Sequence, residues 1–580
     1  MKATGHFHQR QLGLAVSAVV LIAAGISPAM AQVDAATGIA DPSQAEERFR
    51  NQETLEPKVE PQISVRQPQP IGAPAGAEKV TFTLHGFSFE GATVYNNEQL
   101  KSVYANEVGK TISLADVYRI ANKLTLKYRN DGYILTQVVV PPQEIDGGVP
   151  TLRVVEGYIH NIQLQKSDKS SPIDMANIET YARQISVGGP LNARDLERQL
   201  LIINDLPGVT ARSILSPAPN TPGAADMLIV VDYDPIDGLV GIDNFGSRYL
   251  GPVQVAGATT LNSMLGQNEA ISGQLVMAPQ SWYELAYASV GYEQPIGRWG
   301  TKAHINTSVT DTEPGYDLDE FDVEGRSYLI NVGATHPFIR SRSENLYGRL
   351  NFDWRRVKSE NNVEETRRDR ISALRLGGRY EFIDTLIGAA ANTFDAEVSK
   401  GVNLFGASDE GDENMTRADG DPQFTKLEVE IQRLQRLTSN VNLLVAGRGQ
   451  LASNALLSSE EFSVGGVYGF GRGYDPSEVT GDHGLAGKVE LQWQEPYKFE
   501  QNFVESYQLY GFYDIGRVWN EDATTSSQKR DSAASVGAGV RLDLPYDLDG
   551  GFAVAFPLTR EPQTAGDMDP KFYFNLSKRF

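Results

Sequence analysis

The sequence predicts an antiparallel β-barrel of about 16 strands that crosses a bilayer, preceded by two small α+β units built in the order β-α-α-β-β. Three observations point there. From about residue 234 to the end, apolar and polar residues alternate with period two in segment after segment. Past residue 31, no apolar stretch reaches the ~18 residues that a spanning helix requires; a closed barrel is the other structure that satisfies every backbone group in lipid. Between residues 79 and 233, two successive stretches of roughly 75 residues repeat one element order, which marks an internal repeat.

The first 31 residues read as a secretory signal peptide. Lys2 and Arg10 precede an apolar run from Leu12 to Ile26, and Ala29-Met30-Ala31 forms an A-x-A site, so cleavage is expected between Ala31 and Gln32. The run is too short and too rich in Ala and Gly for a membrane anchor. The absence of cysteine rules out a disulfide framework and a thiolate zinc site, and suits an exported protein that folds without oxidative help. A net charge of −22 argues against a general nucleic-acid binder. The 55 glycines and 24 tyrosines suit turns, small barrel positions and interface girdles, although composition alone also fits a large secreted β-protein.

Residues 32–78 form a leader and linker. Asp41–Glu53 has an N-cap-like Asp41, Pro42 at the first helical position and mostly polar faces. Pro61, Pro68, Pro70 and Pro74 then favour extended, semi-rigid chain. A solvated helix on a tether accounts for these features.

Residues 79–157 read as the first β-α-α-β-β unit. Val80–Phe87 alternates like a strand. Ser113 and Asp116 form a capping-box start, and Leu114, Val117, Ala121, Leu124 and Tyr128 then share one helical face. Gly132 stops this helix, Tyr133–Val140 is a β-rich run ended by Pro141-Pro142, and Thr151–Val155 is the last strand. Residues 158–233 repeat the plan. Ile159–Leu164 is the first strand, the second helix starts near Asn192 with Leu196, Leu200 and Ile203 on one face, and Met227–Val231 is a buried-type strand.

Residues 234–580 are the barrel. Leu346, Gly348, Leu350, Phe352 and Trp354 oppose Arg349, Asn351, Asp353 and Arg355; Leu485, Gly487, Val489, Leu491 and Trp493 oppose Lys488, Glu490 and Gln492. In a barrel in lipid the apolar face points out and the charged face lines a wet lumen. At roughly 20–22 residues per strand and connection, this length allows about 16 strands of 9–11 residues. The chain closes on Phe572, Phe574, Leu576 and Phe580, an aromatic end that suits an outer-membrane β-barrel.

The most specific stretch runs from Phe462 to Gly484, FSVGGVYGFGRGYDPSEVTGDHG. Gly471-Arg472-Gly473-Tyr474 sets one arginine among glycines, with Gly465 and Gly466 just upstream. Further on, Phe512-Tyr513-Asp514-Ile515-Gly516 places a carboxylate on a barrel strand; Asp514 shares a face with Tyr510 and Phe512, opposite Leu509, Gly511, Tyr513 and Ile515. A G-R-G-Y loop and an F-x-D-x-G strand, behind two such repeat units, resemble the two-partner secretion transporters. These are the outer-membrane partners of filamentous haemagglutinin and haemolysin-type exoproteins, and their repeat units are polypeptide-transport-associated (POTRA) domains. The resemblance covers residues 79–580. Family-like phrases include Tyr128-Arg129-Asn130-Asp131-Gly132, Val154-Val155-Glu156-Gly157 and Asn204-Asp205-Leu206-Pro207-Gly208-Val209. Gly471 departs from the valine that the family usually carries there.

The resemblance implies that the loop near 462–484 folds back into the lumen, where Arg472 meets Asp514. The glycines, Gly516 included, would let backbone pass close to the wall. The bland alternative is an exposed loop arginine without a fixed partner. The resemblance also implies that the leader helix plugs the lumen, beside the alternative of a disordered leader. An unfolded exoprotein in the periplasm would be held by strand addition to a POTRA sheet edge and threaded outward without ATP. The barrel would itself be inserted by the barrel assembly machinery, with Phe580 as its C-terminal signal.

Other signals carry little. Gly469-x-Gly471-x-Gly473 lacks the GK[ST] and following helix of a nucleotide loop, and the acidic stretches Asp317–Glu324 and Asp409–Asp421 lack EF-hand spacing and read as solvated extracellular loops. His483 reads as a loop residue. No G-x-S-x-G elbow or H-x-x-x-H pair stands out, so no catalytic residue, metal or cofactor is expected. The rivals are a factor that assembles other outer-membrane proteins, which shares the loop signature, and a passive porin, which leaves the periplasmic units without purpose.

Overall fold

The computed structural model describes residues 37–50, 63–65, 72–168, 175–185, 189–219, 221–280, 283–495, 504–521 and 529–580. The expected signal peptide, its Ala31–Gln32 junction, the last turn of the expected leader helix and Pro61, Pro68 and Pro70 lie outside the described residues.

Sixteen antiparallel strands close into a barrel, each beside its neighbour in sequence, from Ile236–Asp243 round to Lys571–Arg579. The last strand pairs with the first through Val240↔Lys578 and its neighbours, and Phe580 continues the seam, exchanging both backbone bonds with Gly238 at 2.9 and 3.0 Å. The strands are less uniform than the pattern suggests. Ala270–Met277 has 8 residues, whereas Glu324–Arg340 and Glu344–Glu360 have 17 and Glu365–Asp384 has 20. The long ones exceed the 9–11 residues that a tilted strand needs to cross lipid and stand above the bilayer. Leu350, Leu374, Leu376, Leu485, Val489 and Leu491 lie exposed on the outer wall, while Asp353, Arg355, Arg375 and Glu490 are buried within the lumen.

The first α+β unit packs helix Leu114–Asn130 across two small sheets. Ser113 starts it: its hydroxyl accepts from Asp116 N at 3.2 Å, and Asp116 accepts from Ser113 N at 2.9 Å. Val117, Ile120, Ala121, Leu124 and Tyr128 are buried beneath. The expected strand Val80–Phe87 is broken into Thr81–Thr83 and Ser88–Glu90. Leu84 and Phe87 both enter the core, and residues of opposite parity cannot do so within one strand. The expected run Tyr133–Val140 shortens to Gln137–Val139 because Tyr133–Thr136 turns, with Thr136 N donating to Tyr133 O.

In the second unit, helix Ala193–Asn204 is capped by Asn192 and buries Leu196, Leu200 and Ile203. Its sheet runs in the order Ile63–Val65, Val209–Pro217, Ala224–Tyr233, Tyr158–Lys166. The linker thus supplies a parallel edge strand that the pattern of prolines does not suggest. The unit sits against the barrel turn at 341–343. Arg340 forks onto Asp205 (2.7 and 2.8 Å), Arg342 approaches Glu197 (3.4 Å) and Arg198 donates to Pro337 O (3.3 Å). The long connections 402–424, 453–482 and 558–570 lie at the opposite end.

Candidate functional site

Two elements occupy the lumen: a hairpin from the connection 453–482, and the helix Pro42–Arg50. The hairpin's short strands, Phe462–Val464 and Val479–Gly481, pair with each other rather than with the barrel. Phe462, Val464, Phe470, Tyr474 and Val479 pack against wall residues Ala446, Ala486, Val518 and Ala533. Glycine on each side lets hairpin and wall meet: a Cβ on wall residue Gly516 would stand 2.6 Å from Val464 Cγ2, and one on the hairpin's Gly473 would stand 2.8 Å from Ser535 Cβ and 3.0 Å from Pro557 N. Gly465, Gly466 and Gly471 turn the hairpin back on itself with φ of 128°, 81° and 121°.

Arg472 lies at the tip. Its Nε and Nη2 donate to the two oxygens of Asp514 at 2.8 and 2.7 Å, and its backbone N–H donates to the same carboxylate at 3.0 Å. Nη1 meets Glu490 at 2.5 Å, and the guanidinium lies 3.6 Å over the Phe512 ring. One arginine thus joins carboxylates of two adjacent strands, His483–Glu495 and Ser506–Trp519. Arg541 holds the other oxygen of Glu490 at 2.8 Å and stacks 3.9 Å over Tyr510. Asp514 is fully buried and Glu490 nearly so, so each charge depends on these partners.

The rest of the tip binds the strands that follow along the same wall and the connection between the last two. Tyr474, fully buried, donates to Ala534 O at 3.0 Å. Asp475 accepts from Lys571 at 2.6 Å and from Thr564 Oγ1. Glu478 accepts from Gln563 N at 2.7 Å, and burial together with the nearby Asp475 pushes its carboxyl up to about 7. At the hairpin's base, buried Asp482 accepts from Arg417 at 2.7 Å, and Arg417 also reaches Glu461 at 3.1 Å.

The helix is held mainly by charge and hydroxyl contacts. Asp41 caps it, accepting from Ser43 N at 2.8 Å and from Ser458 Oγ at 2.5 Å, while Gln44 donates to Ser458 O at 2.6 Å. Glu46, fully buried, accepts from Ser308 and Ser327 at 2.9 and 2.6 Å. Glu47 pairs with Arg355 at 3.3 Å and Arg50 with Asp353 at 3.4 Å; Arg375 links Asp353 to Glu460, both at 2.7 Å. The helix is not wholly polar. Ile39 just before it, with Ala45 and Phe49, packs on Tyr249, Leu285 and Tyr287, with Phe49 and Tyr287 ring centres 5.1 Å apart.

A lumen filled by two elements bound through buried charge, behind α+β units docked at one end, is matched by a family model. The haemolysin secretion/activation protein family ShlB/FhaC/HecB matches residues 227–542, and a ShlB-type POTRA domain matches residues 82–157. The chain belongs to this family. Among its relatives, the heme/hemopexin transporter protein HuxB of Haemophilus influenzae (strain 86-028NP) is 26% identical, over 83% of this chain and 84% of that protein. The outer membrane transporter CdiB of Dickeya dadantii is 22% identical, over 85% of this chain and 87% of that protein. The structure of CdiB from Escherichia coli superposes with a TM-score of 0.72 at 20% identity, covering 96% of this chain and 100% of that one.

This two-partner secretion transporter is an outer-membrane protein with its POTRA end in the periplasm, and it exports a secreted partner protein. Arg472, Gly473, Tyr474, Asp514 and the glycines 465, 466, 471 and 516 are brought together in one site, while Phe580 lies at the periplasmic seam. His483 is not a loop residue: it opens strand His483–Glu495, accepting from Ala452 N at 3.1 Å. Sequence reasoning put Glu490 on the lumenal face without a partner, and did not single out Arg541, Asp475, Lys571, Arg417 or Glu46. Period-two alternation marks a face; it does not say which groups meet across the lumen.

Proposed function

We propose that the transporter passes its unfolded partner through a lumen that is closed at rest by the helix Pro42–Arg50 and the Arg472 hairpin. Residues 79–157 and 158–233 act as two POTRA domains, and Arg472 acts as the residue that positions the hairpin through Asp514 and Glu490. The observation that carries this reading is that both lumenal elements are held by displaceable polar contacts to the barrel's lumenal face, the helix through Ser308, Ser327 and Arg355 and the hairpin through Glu490 and Asp514, with Phe49 the single aromatic anchor of the helix. Such contacts exchange for water or for a passing chain at small net cost. The periplasmic units offer strand edges: Ser88–Glu90 and Gln137–Val139 are the outer strands of the first unit's main sheet, and Tyr158–Lys166 is an outer strand of the second. The pairing of Ile63–Val65 with Ser213–Leu215 illustrates strand addition at the other edge. The names of the family and of its relative HuxB suggest a client of heme/hemopexin-related or haemolysin type, and Phe580 serves as the signal read when the barrel is inserted.

Comparative proteomics of the culture medium and outer membrane, with and without this chain, tests the reading. Loss of one large exported protein with other barrels at normal levels is expected. Depletion of many barrels would make the chain an assembly factor, and no change in either fraction would leave a porin.

A further inference from the structure

The outer wall carries a feature that protein export does not require. Strands Glu324–Arg340, Glu344–Glu360 and Glu365–Asp384 are in register, and their outward residues form rows. Ala334, Leu350 and Leu376 form one row, Val332, Phe352 and Leu374 the next, and Ile330, Trp354 and Ser372 a third. In the next two rows, further from the periplasm, the chemistry changes. Tyr328, Arg356 and Arg370 are followed by Arg326, Lys358 and Arg368, so five of these positions are basic in a protein of net charge −22.

Their height follows from the strand. From Phe382 to Ser372 the chain climbs about 33 Å, or about 25 Å along the membrane normal at the usual tilt, the height of a barrel's apolar band. Trp354 and Tyr328 sit where an interfacial aromatic belt belongs, and the basic rows face the headgroups of the outer leaflet. The apolar contact continues onto the loop above: Ser372 Oγ donates to Leu404 O at 2.8 Å, and Phe405 lies edge-on to Phe352 at 5.6 Å with 75% of its surface exposed.

Some of this charge is answered within the chain. Arg326 pairs with Asp311, Lys358 with Glu360 and Glu365, and Arg368 with Glu365. Arg356 and Arg370 stand directly opposite each other, and neither has a side-chain partner among the described residues. Like charges directly opposite on a sheet destabilise it, and two guanidinium groups at that spacing can share one phosphate between them.

We propose that this surface binds the phosphorylated glycolipid of the outer leaflet, with Arg356 and Arg370 on a phosphate and the acyl chains against Phe352, Trp354 and Phe405. A free phosphate would make no use of the apolar rows beneath. The test is retention of defined lipids by the full-length transporter in mixed micelles, read by native mass spectrometry. Diphosphorylated lipid A is expected to be retained in preference to its dephosphorylated form and to phosphatidylglycerol. The double variant Arg356→Gln/Arg370→Gln should retain it roughly thirtyfold less, given the effect of two headgroup-level cations. Arg517→Gln, which removes an outward arginine on another strand, should change nothing. Heat-modifiable mobility on gels reports that each barrel is folded. Equal retention by the double variant, equal retention of dephosphorylated lipid or phosphatidylglycerol, an equal loss in Arg517→Gln, or displacement by millimolar inorganic phosphate would each overturn the assignment.

Discussion

Arg472 grips Asp514 with two side-chain nitrogens, at 2.8 and 2.7 Å, and with its own backbone N–H, so the hairpin's tip is fixed in both position and orientation. The fork geometry matters as much as the charge. A third nitrogen reaches Glu490 on the neighbouring strand, a span that a single ammonium cannot reproduce.

Arg472→Ala should therefore be more damaging than Asp514→Asn. It strands the buried Asp514, at about 3–5 kcal/mol for a dry site and less in a wet lumen, and leaves Glu490 only Arg541 and Gln492, whereas Asp514→Asn leaves Arg472 its bond to Glu490. Arg472→Lys should rescue little. Secretion assays on barrels that keep heat-modifiable mobility check this order; full secretion by Arg472→Ala would remove its positioning role.

Gly473→Ala should expel the hairpin without touching any charge. Its methyl group would meet Ser535 Cβ at 2.8 Å and the Pro557 backbone at 3.0 Å, an overpacking cost of about 1–3 kcal/mol. Protease cleavage within 465–478 on intact cells should rise several-fold, and unchanged protection would contradict the close packing.

The helix should leave the lumen more readily once its aromatic anchor is gone. Phe49→Ala deletes the contact with Tyr287, at a cost of up to about 3–5 kcal/mol for a fully buried ring. Planar-bilayer recordings should then show more frequent and larger openings, as should Glu46→Ala, which leaves Ser308 and Ser327 unpaired. Conductance identical to the parent protein would refute a plugging role.

Hairpin docking should weaken as pH rises from about 4.5 to about 7. Burial pushes Glu478, and likewise Glu461, up to about 7 from 4.5, so the docked hairpin holds protons that a swung-out hairpin has already released. The docked state then binds more protons across that window, and its advantage is fully present below it and lost as pH climbs through the raised value. Protease protection measured at pH 5.5 and pH 8 should differ in this sense, and Glu478→Gln should flatten the difference. Greater protection at the higher pH would reverse the sign and disprove the account.

Arg340→Ala should free the POTRA units from the barrel. Its fork on Asp205 is the closest ion pair across that joint, and Asp205 keeps partial exposure, so the expected cost is about 1–3 kcal/mol. Small-angle scattering should show a broader distribution of shapes while the barrel stays folded; an unchanged profile would mean that the neighbouring Arg342 and Arg198 contacts suffice.

Much of this architecture was legible in the chain. Period-two alternation identified a barrel of about 16 strands and put Asp514 and Glu490 on the lumenal face, because strand geometry alone decides which side a residue takes. The Ser113–Asp116 cap and the apolar face from Val117 to Tyr128 marked a helix by equally local rules. The motif resemblance also pairs Arg472 with Asp514. The tertiary structure decided the rest. That Arg472 reaches Glu490 as well, which side chains Gly516 and Gly473 make room for, how Glu46 finds two serines and why the strand at Leu84–Phe87 breaks depend on strand register, barrel closure and the volume left inside. Those are relations between residues far apart in sequence, and no periodicity encodes them. The basic rows on the outer wall show the same division: each arginine can be read on its strand, but only the register sets Arg356 opposite Arg370.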